Sequence, residues 1–206
     1  MSDQRDKILA CACDLYLESG FEGFSMRKLA GCVGVTAPAL YRHYASKERV
    51  LVDVIGEAYQ RMAAHLYRAL EGRTPVERIR MAGMGYLTFA VEHPRLYEVL
   101  FASPDLMGMQ EAPQELESQW CALGQFWKDR VRECIDSGAL RDGEPEAIAM
   151  TMWAHAHGLI SLYLSGMLRV SREEFAGVYR TSVRRMLAGI ATPAYLAEIE
   201  TEASHR

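Results

Sequence analysis

The side chains best equipped for chemistry lie between Ser25 and Lys47, in the run S-M-R-K-L-A-G-C-V-G-V-T-A-P-A-L-Y-R-H-Y-A-S-K. Their chemistry is contact with a polyanion rather than bond-making. Arg27, Thr36, Tyr41, His43 and Lys47 offer cations, a hydroxyl, a phenol and an imidazole to phosphate oxygens, and Arg42 can reach a flanking phosphate. Thr36 also stands where a helix N-terminus would add its own amide donors. Ala37, Pro38 and Ala39 are short enough to bring the backbone against base edges or phosphates. Ser25, at the head of the preceding helix, completes the expected DNA-contacting set.

These residues can act together only if two short helices meet at a tight turn. Ser25 is an N-cap, and Met26, Leu29 and Ala30 fall on the inward face of the helix it opens, with Arg27 and Lys28 outward. Ala30 is small where two helices would cross. Gly34 breaks that helix, Val35 is expected to plug the small core, and Thr36 caps a third helix running to about His43, with Pro38 tolerated in its first turn. Ser46 caps a fourth, which puts Lys47 in its first turn, where cation and helix dipole could hold one phosphate together. A helix across the backbone, a glycine turn and a second helix aimed at base edges form a helix-turn-helix.

The run G-F-E-G-F-S-M-R-K-L-A-G-C-V-G-V-T-A-P-A-L-Y-R-H-Y-A-S-K-E-R-V-L, Gly20 to Leu51, resembles the tetracycline-repressor (TetR) family of bacterial transcription regulators. The matching features are Gly20-Phe21, the Ser25 cap, Tyr41, and an aromatic, Tyr44, before Lys47-Glu48. Tyr44 departs mildly from the family, which more often has Phe there. The resemblance implies an N-terminal helix-turn-helix, a helical C-terminal domain that dimerises and receives a ligand, and repression of a palindromic operator.

Composition agrees with a regulator. The segment from Ser25 to Val50 carries five Lys or Arg against one Glu, in a chain whose net charge is −4, so the remainder is more acidic still. A local basic patch binds a polyanion despite that balance, because screening makes near charges count most. The five cysteines, Cys11, Cys13, Cys32, Cys121 and Cys134, show no zinc-finger spacing, and buried free thiols in a reducing cytosol are expected. The charged opening M-S-D-Q-R-D-K leads straight into a helix pattern, so no signal peptide is expected.

Nearly every other segment reads as helix, and no run alternates with period two. The first helix is expected over Asp3 to about Glu18 with Gly20 as its cap. The fourth carries a stripe of Leu51, Ile55, Ala58, Met62 and Leu66, and Thr74-Pro75-Val76-Glu77 opens the next, which runs to about Glu92. Pro94 begins a short helix. Ala102 to Pro113 is expected as a loop, a helix carrying Leu116, Trp120, Leu123, Trp127, Val131 and Cys134 follows and closes at Ser137-Gly138, and Pro145 and Ser171 start the last two. The tail after Thr192 is expected to fray. The fold class is therefore all-α: a three-helix helix-turn-helix domain over residues 1–50, then a helical ligand-binding and dimerisation domain over 51–206.

From Ala147 to Leu168 there is no formal charge. His155, His157, Thr151, Ser161 and Ser165 argue against a membrane span, and a helix apolar on all sides can instead pack on its own domain and on a partner subunit. With the helix from Phe175 to Ile190 it could supply half of a four-helix dimer interface. The run also resembles a subgroup of TetR-type regulators with Trp-x-x-x-His-Gly, here Trp153, His157 and Gly158, with H-P-R-L-Y-E-V-L-F upstream. Aromatic residues and methionines are abundant, and Tyr86, Phe89, Tyr97, Phe101, Trp120, Trp127, Met152 and His155 are the expected lining of a cavity for a largely apolar small molecule, with Trp120, Tyr86 and His155 foremost.

Two rivals remain at this stage. His155 and His157 lie ~200° apart around a helix and cannot share a metal without distortion. With no nucleophile elbow, phosphate loop or HExxH present, catalysis, metal and cofactor are not expected. The other rival keeps the DNA-binding fold without a small-molecule effector, under control of a protein partner. The favoured expectation is a cytoplasmic homodimeric repressor released from double-stranded operator DNA by a small ligand.

Overall fold

The computed structural model describes residues 2–101 and 113–197. The expected loop from Ala102 to Pro113, except its last residue, and the tail from residue 198 lie outside them. The described elements are α1 (Ser2–Gly23), α2 (Met26–Val33), α3 (Ala37–Tyr41), α4 (Lys47–Tyr67), a 3-10 turn (Arg68–Glu71), α5 (Pro75–Glu92), α6 (Pro94–Leu100), α7 (Gln114–Asp136), α8 (Pro145–Leu164) and α9 (Arg172–Ile190). The all-α expectation holds. The only extended pairing among the described residues is one antiparallel bridge, Leu140 with Ala191, closing the α7–α8 loop onto the end of α9.

Local capping explains most boundaries. The Ser25 hydroxyl accepts from Lys28 N at 3.2 Å, Thr36 from Ala39 N at 3.3 Å, and Ser46 from Arg49 N at 3.4 Å. Ser171 and Glu174 form a reciprocal capping box. Thr74 accepts from Glu77 N at 3.1 Å, but the Glu77 carboxylate reaches one residue further back, to Arg73 N at 2.8 Å. Two boundaries differ from expectation. Helix α1 does not stop at Gly20. It kinks there, at φ 63° and ψ −174°, and continues to Gly23. Helix α3 ends at Tyr41 rather than His43.

The chain divides into two compact units, Met1–Ala63 with Glu92–Cys121, and Ala64–Val91 with Ala122–Arg206. The first buries Ile8, Ala12, Tyr16, Phe24, Met26, Leu29, Val33, Leu40, Tyr44 and Leu51 around α1 to α4. Val35, expected to plug that core, is only half-buried. In the second unit Ile79, Val131, Cys134, Leu140, Ala149 and Met152 form a core, with Trp127, Met186 and Ile190 packed on it. Gly85 lets α5 pass close to the end of α4, since a Cβ there would lie 2.5 Å from the His65 carbonyl oxygen.

The cysteines correct the sequence reading. Cys11 on α1 and Cys32 on α2 form a disulfide, with Cα atoms 6.0 Å apart. Only Cys13, Cys121 and Cys134 are free, and Cys121 is exposed. Composition could not reveal this, because the pairing depends on how α1 crosses α2. Burial pushes the Cys13 and Cys134 thiols up to about 12, so both are inert small hydrophobes.

Candidate nucleic-acid interface and ligand residues

The turn at Gly34 sets the interface. Its φ of 83° is left-handed, and its N–H and that of Val35 both return to the Ala30 carbonyl, at 2.9 Å each. The α2 end is thereby closed, and the chain reverses at once into the N-terminus of α3. Thr36, Pro38, Tyr41, Arg42 and His43 are exposed there, while Ala37 and Ala39 are half-buried and Leu40 anchors the helix from beneath. Tyr41 is 55 % exposed, the presentation a phenol needs to reach a flanking phosphate. Arg27 is also exposed, and neither its side chain nor that of Arg42 makes a hydrogen bond or ion pair among the described residues.

The other three cations of the basic run are already engaged. Lys28 donates to the Gly23 carbonyl at 2.7 Å. Lys47 donates to the Phe21 carbonyl at 3.1 Å and lies 3.6 Å over the Phe21 ring. The kink at Gly20 gives this Gly–aromatic pair a physical meaning, since it turns Phe21 toward the start of α4. Lys47 is therefore a strut between α1 and α4 as well as a positive charge near the expected phosphates. Arg49 bonds Asp53 at 3.1 Å and also meets Glu115, so its charge is neutralised locally. Sequence reasoning missed this ion-pair cluster, in which Arg5 also approaches Asp53 at 3.9 Å and Glu57 at 3.6 Å. The Arg49–Asp53 spacing of four could have signalled part of it. Tyr44 is buried beside it. Burial, then the Asp53 carboxylate, pushes its phenol above the ordinary value.

The expected ligand residues separate into two groups. Tyr97, Phe101 and Trp120 belong to the first unit, with Phe101 4.8 Å from Tyr97 and 5.6 Å from Trp120 between ring centres. Tyr86, Phe89, Trp127, Met152 and His155 belong to the second. There the Tyr86 hydroxyl accepts from Trp153 Nε1 at 3.1 Å and lies 3.2 Å from His157 Nδ1. Burial lowers the His157 pKa, which favours the neutral ring. One phenol on α5 thus joins both polar residues of the Trp-x-x-x-His pair on α8. His155 instead faces α9, with Nε2 3.1 Å from the Ser182 hydroxyl. The Tyr179 hydroxyl donates to the Gly83 carbonyl at 3.1 Å.

Residues 8–54 match the family model described as "Bacterial regulatory proteins, tetR family", and residues 79–189 match "Tetracyclin repressor-like, C-terminal domain". The chain belongs to the TetR family. It is a DNA-binding transcriptional regulator and not an enzyme. The nucleoid occlusion factor SlmA of Vibrio vulnificus is 35% identical over 145 residues, 69% of this chain and 72% of that one. The HTH-type transcriptional repressor AcnR of Corynebacterium efficiens is 25% identical over 188 residues, 89% of this chain and 94% of its own. Among solved structures, the ketosteroid transcriptional regulator KstR2 of Mycobacterium tuberculosis shares the fold, with a TM-score of 0.72, 19% identity, and coverage of 91% of this chain and 95% of that one. Among the described residues, no helix is long and apolar enough to cross a membrane.

Proposed function

We propose that this TetR-family regulator is a cytoplasmic homodimeric repressor that leaves its operator when a small, largely apolar molecule binds. Residues 1–50 read DNA, and residues 51–206 dimerise and receive the effector. Thr36, Tyr41, His43, Arg27, Arg42 and Lys47 hold phosphates, Ser25 orders the helix that carries Arg27, and Ala37, Pro38 and Ala39 meet base edges. Two such elements related by a two-fold axis would face successive major grooves about one helical turn apart. The carrying observation is the exposed N-terminal face of α3, with Thr36, Pro38, Tyr41, Arg42 and His43 outward over a buried Leu40.

The second unit supports dimerisation. Met150 and Leu162 on α8 and Val178 on α9 are 57 %, 39 % and 41 % exposed in the single chain, a surface suited to a second copy. The effector would be taken by aromatic residues of the helical domain, and Trp120, 39 % exposed, is the one best placed to meet an incoming molecule. Its binding can shift DNA affinity only through unequal affinity for the bound and released conformations.

Selection of bound genomic fragments, followed by a thermal-shift screen of apolar metabolites, tests this reading. The fragments should share an inverted repeat, and a compound that raises the melting temperature should release them. Trp120→Ala should keep DNA affinity within about twofold while weakening the response to that compound. Control by a protein partner, the alternative, would leave every small molecule without effect on the complex.

A further inference from the structure

Two buried polar atoms in the first unit have nothing to bond. The Tyr59 hydroxyl on α4 and Gln119 Oε1 on α7 are closed to solvent and lack a hydrogen-bond partner among the described residues. Tyr59 is only 2 % exposed. Unpaired buried groups of this kind are costly and uncommon, and each calls for a reason. The two lie along one seam. Trp120, next to Gln119, meets Tyr59 edge-on at 5.0 Å between ring centres, and Phe101 lies 5.6 Å from Trp120. There is room beside Gln119 at Gly56, one turn before Tyr59, where a Cβ would meet only Gln119 Nε2, at 4.0 Å. Desolvation pushes the Tyr59 phenol far above its ordinary value, so it is a neutral donor at any working pH.

We propose that Tyr59 and Gln119 are the polar end of the effector site, and that they receive a neutral hydroxyl of a flat aromatic or polycyclic molecule whose rings lie against Phe101 and Trp120. This deepens the effector reading above and rests on it. The ligand hydroxyl accepts from Tyr59 and donates to Gln119 Oε1. That oxygen can only accept, so it rejects a carboxylate, and a hydrocarbon would leave both atoms unpaired. Tyr59, Tyr97, Phe101, Gln119 and Trp120 carry no formal charge that would favour an ionic ligand.

The test titrates the full chain with 2-naphthol, naphthalene and 2-naphthoate, following tryptophan fluorescence and melting temperature, in wild type, Tyr59→Phe and Gln119→Leu. Wild type should bind 2-naphthol at least tenfold more tightly than the other two, and each variant should lose most of that preference. Tyr59→Phe without probe should melt at or above the wild-type temperature, because its missing hydroxyl made no bond. Equal affinity for naphthol and naphthalene, a preference retained in Tyr59→Phe, or a clearly lower melting point for that variant would overturn the proposal. If no naphthalene probe binds, but an organic acid or amine releases DNA equally from wild type and Tyr59→Phe, this assignment is wrong and the effector reading survives. If no compound of any class releases DNA, the effector reading fails and takes this assignment with it.

Discussion

In the reading element, residues 25–47, the hydrogen-bonded Ser, Thr and Lys side chains bond to backbone. Ser25, Thr36 and Ser46 accept from amides three residues on, and Lys28 and Lys47 end on the carbonyls of Gly23 and Phe21. In the second unit polar side chains also bond to one another across helices. Trp153 and His157 meet Tyr86, His155 meets Ser182, and Arg78 on α5 meets Glu133 on α7 at 2.9 Å. The difference follows from what each part must do. A reading element has to hold a surface outward with a fixed backbone shape, and caps achieve that without using the exposed face. Helices that must hold together need side chains that join them, so that a change at one is felt at the next.

The comparison is most strongly tested at the disulfide, the one covalent cross-helix bond among the described residues and a feature of the first unit. The loop it closes spans 21 residues in sequence, a length for which a cross-link contributes about 3 kcal/mol. Cys32→Ser should lower urea stability by that amount without reductant and by nothing measurable in dithiothreitol. Equal midpoints in non-reducing buffer would mean that α1 and α2 are held by packing and caps alone.

Tyr86→Phe is the matching test in the second unit. It removes the one hydroxyl that bonds both Trp153 Nε1 and His157 Nδ1. A loss of about 2 kcal/mol is expected in denaturant melts. A neutral result would show that the α5–α8 bonds contribute little and that the proposed contrast is only geometric.

The smallest effect concerns pH. Burial lowers the His157 pKa in the fold, while in the unfolded chain it stays near its ordinary value of about 6.5. The folded protein therefore takes up fewer protons between those two values. Stability is complete above about pH 6.5 and declines as pH falls through the lowered pKa. Wild type should lose more melting temperature between pH 7.5 and 5.5 than His157→Gln. Parallel pH curves would assign the acid sensitivity to other groups.

The same contrast governs how much the sequence disclosed. Caps and turns are short-range, so Ser25, Gly34, Thr36 and Ser171 announce their helices directly, and the reading element is legible to within two residues. The Trp153–His157 pair was visible as one helical face, but its partner on α5 was not, because nothing in local spacing links position 86 to position 157. Cys11 with Cys32, Arg49 with Glu115, and the unpaired Tyr59 and Gln119 are invisible for the same reason. Charge counting could not show that Lys28 and Lys47 end on the neutral carbonyls of Gly23 and Phe21 or that Arg49 pairs with Asp53, whereas the exposed Arg27 and Arg42 side chains make no such bond among the described residues.

The most direct measurement of the central claim is fluorescence anisotropy of a selected operator duplex against salt concentration, for wild type, Tyr41→Ala and Arg42→Ala. Wild-type affinity should fall steeply with salt, Arg42→Ala should bind about tenfold more weakly with a log–log slope shallower by about one, and Tyr41→Ala should weaken binding to every duplex alike. Unchanged affinity and slope in both variants would show that the exposed face of α3 does not meet DNA.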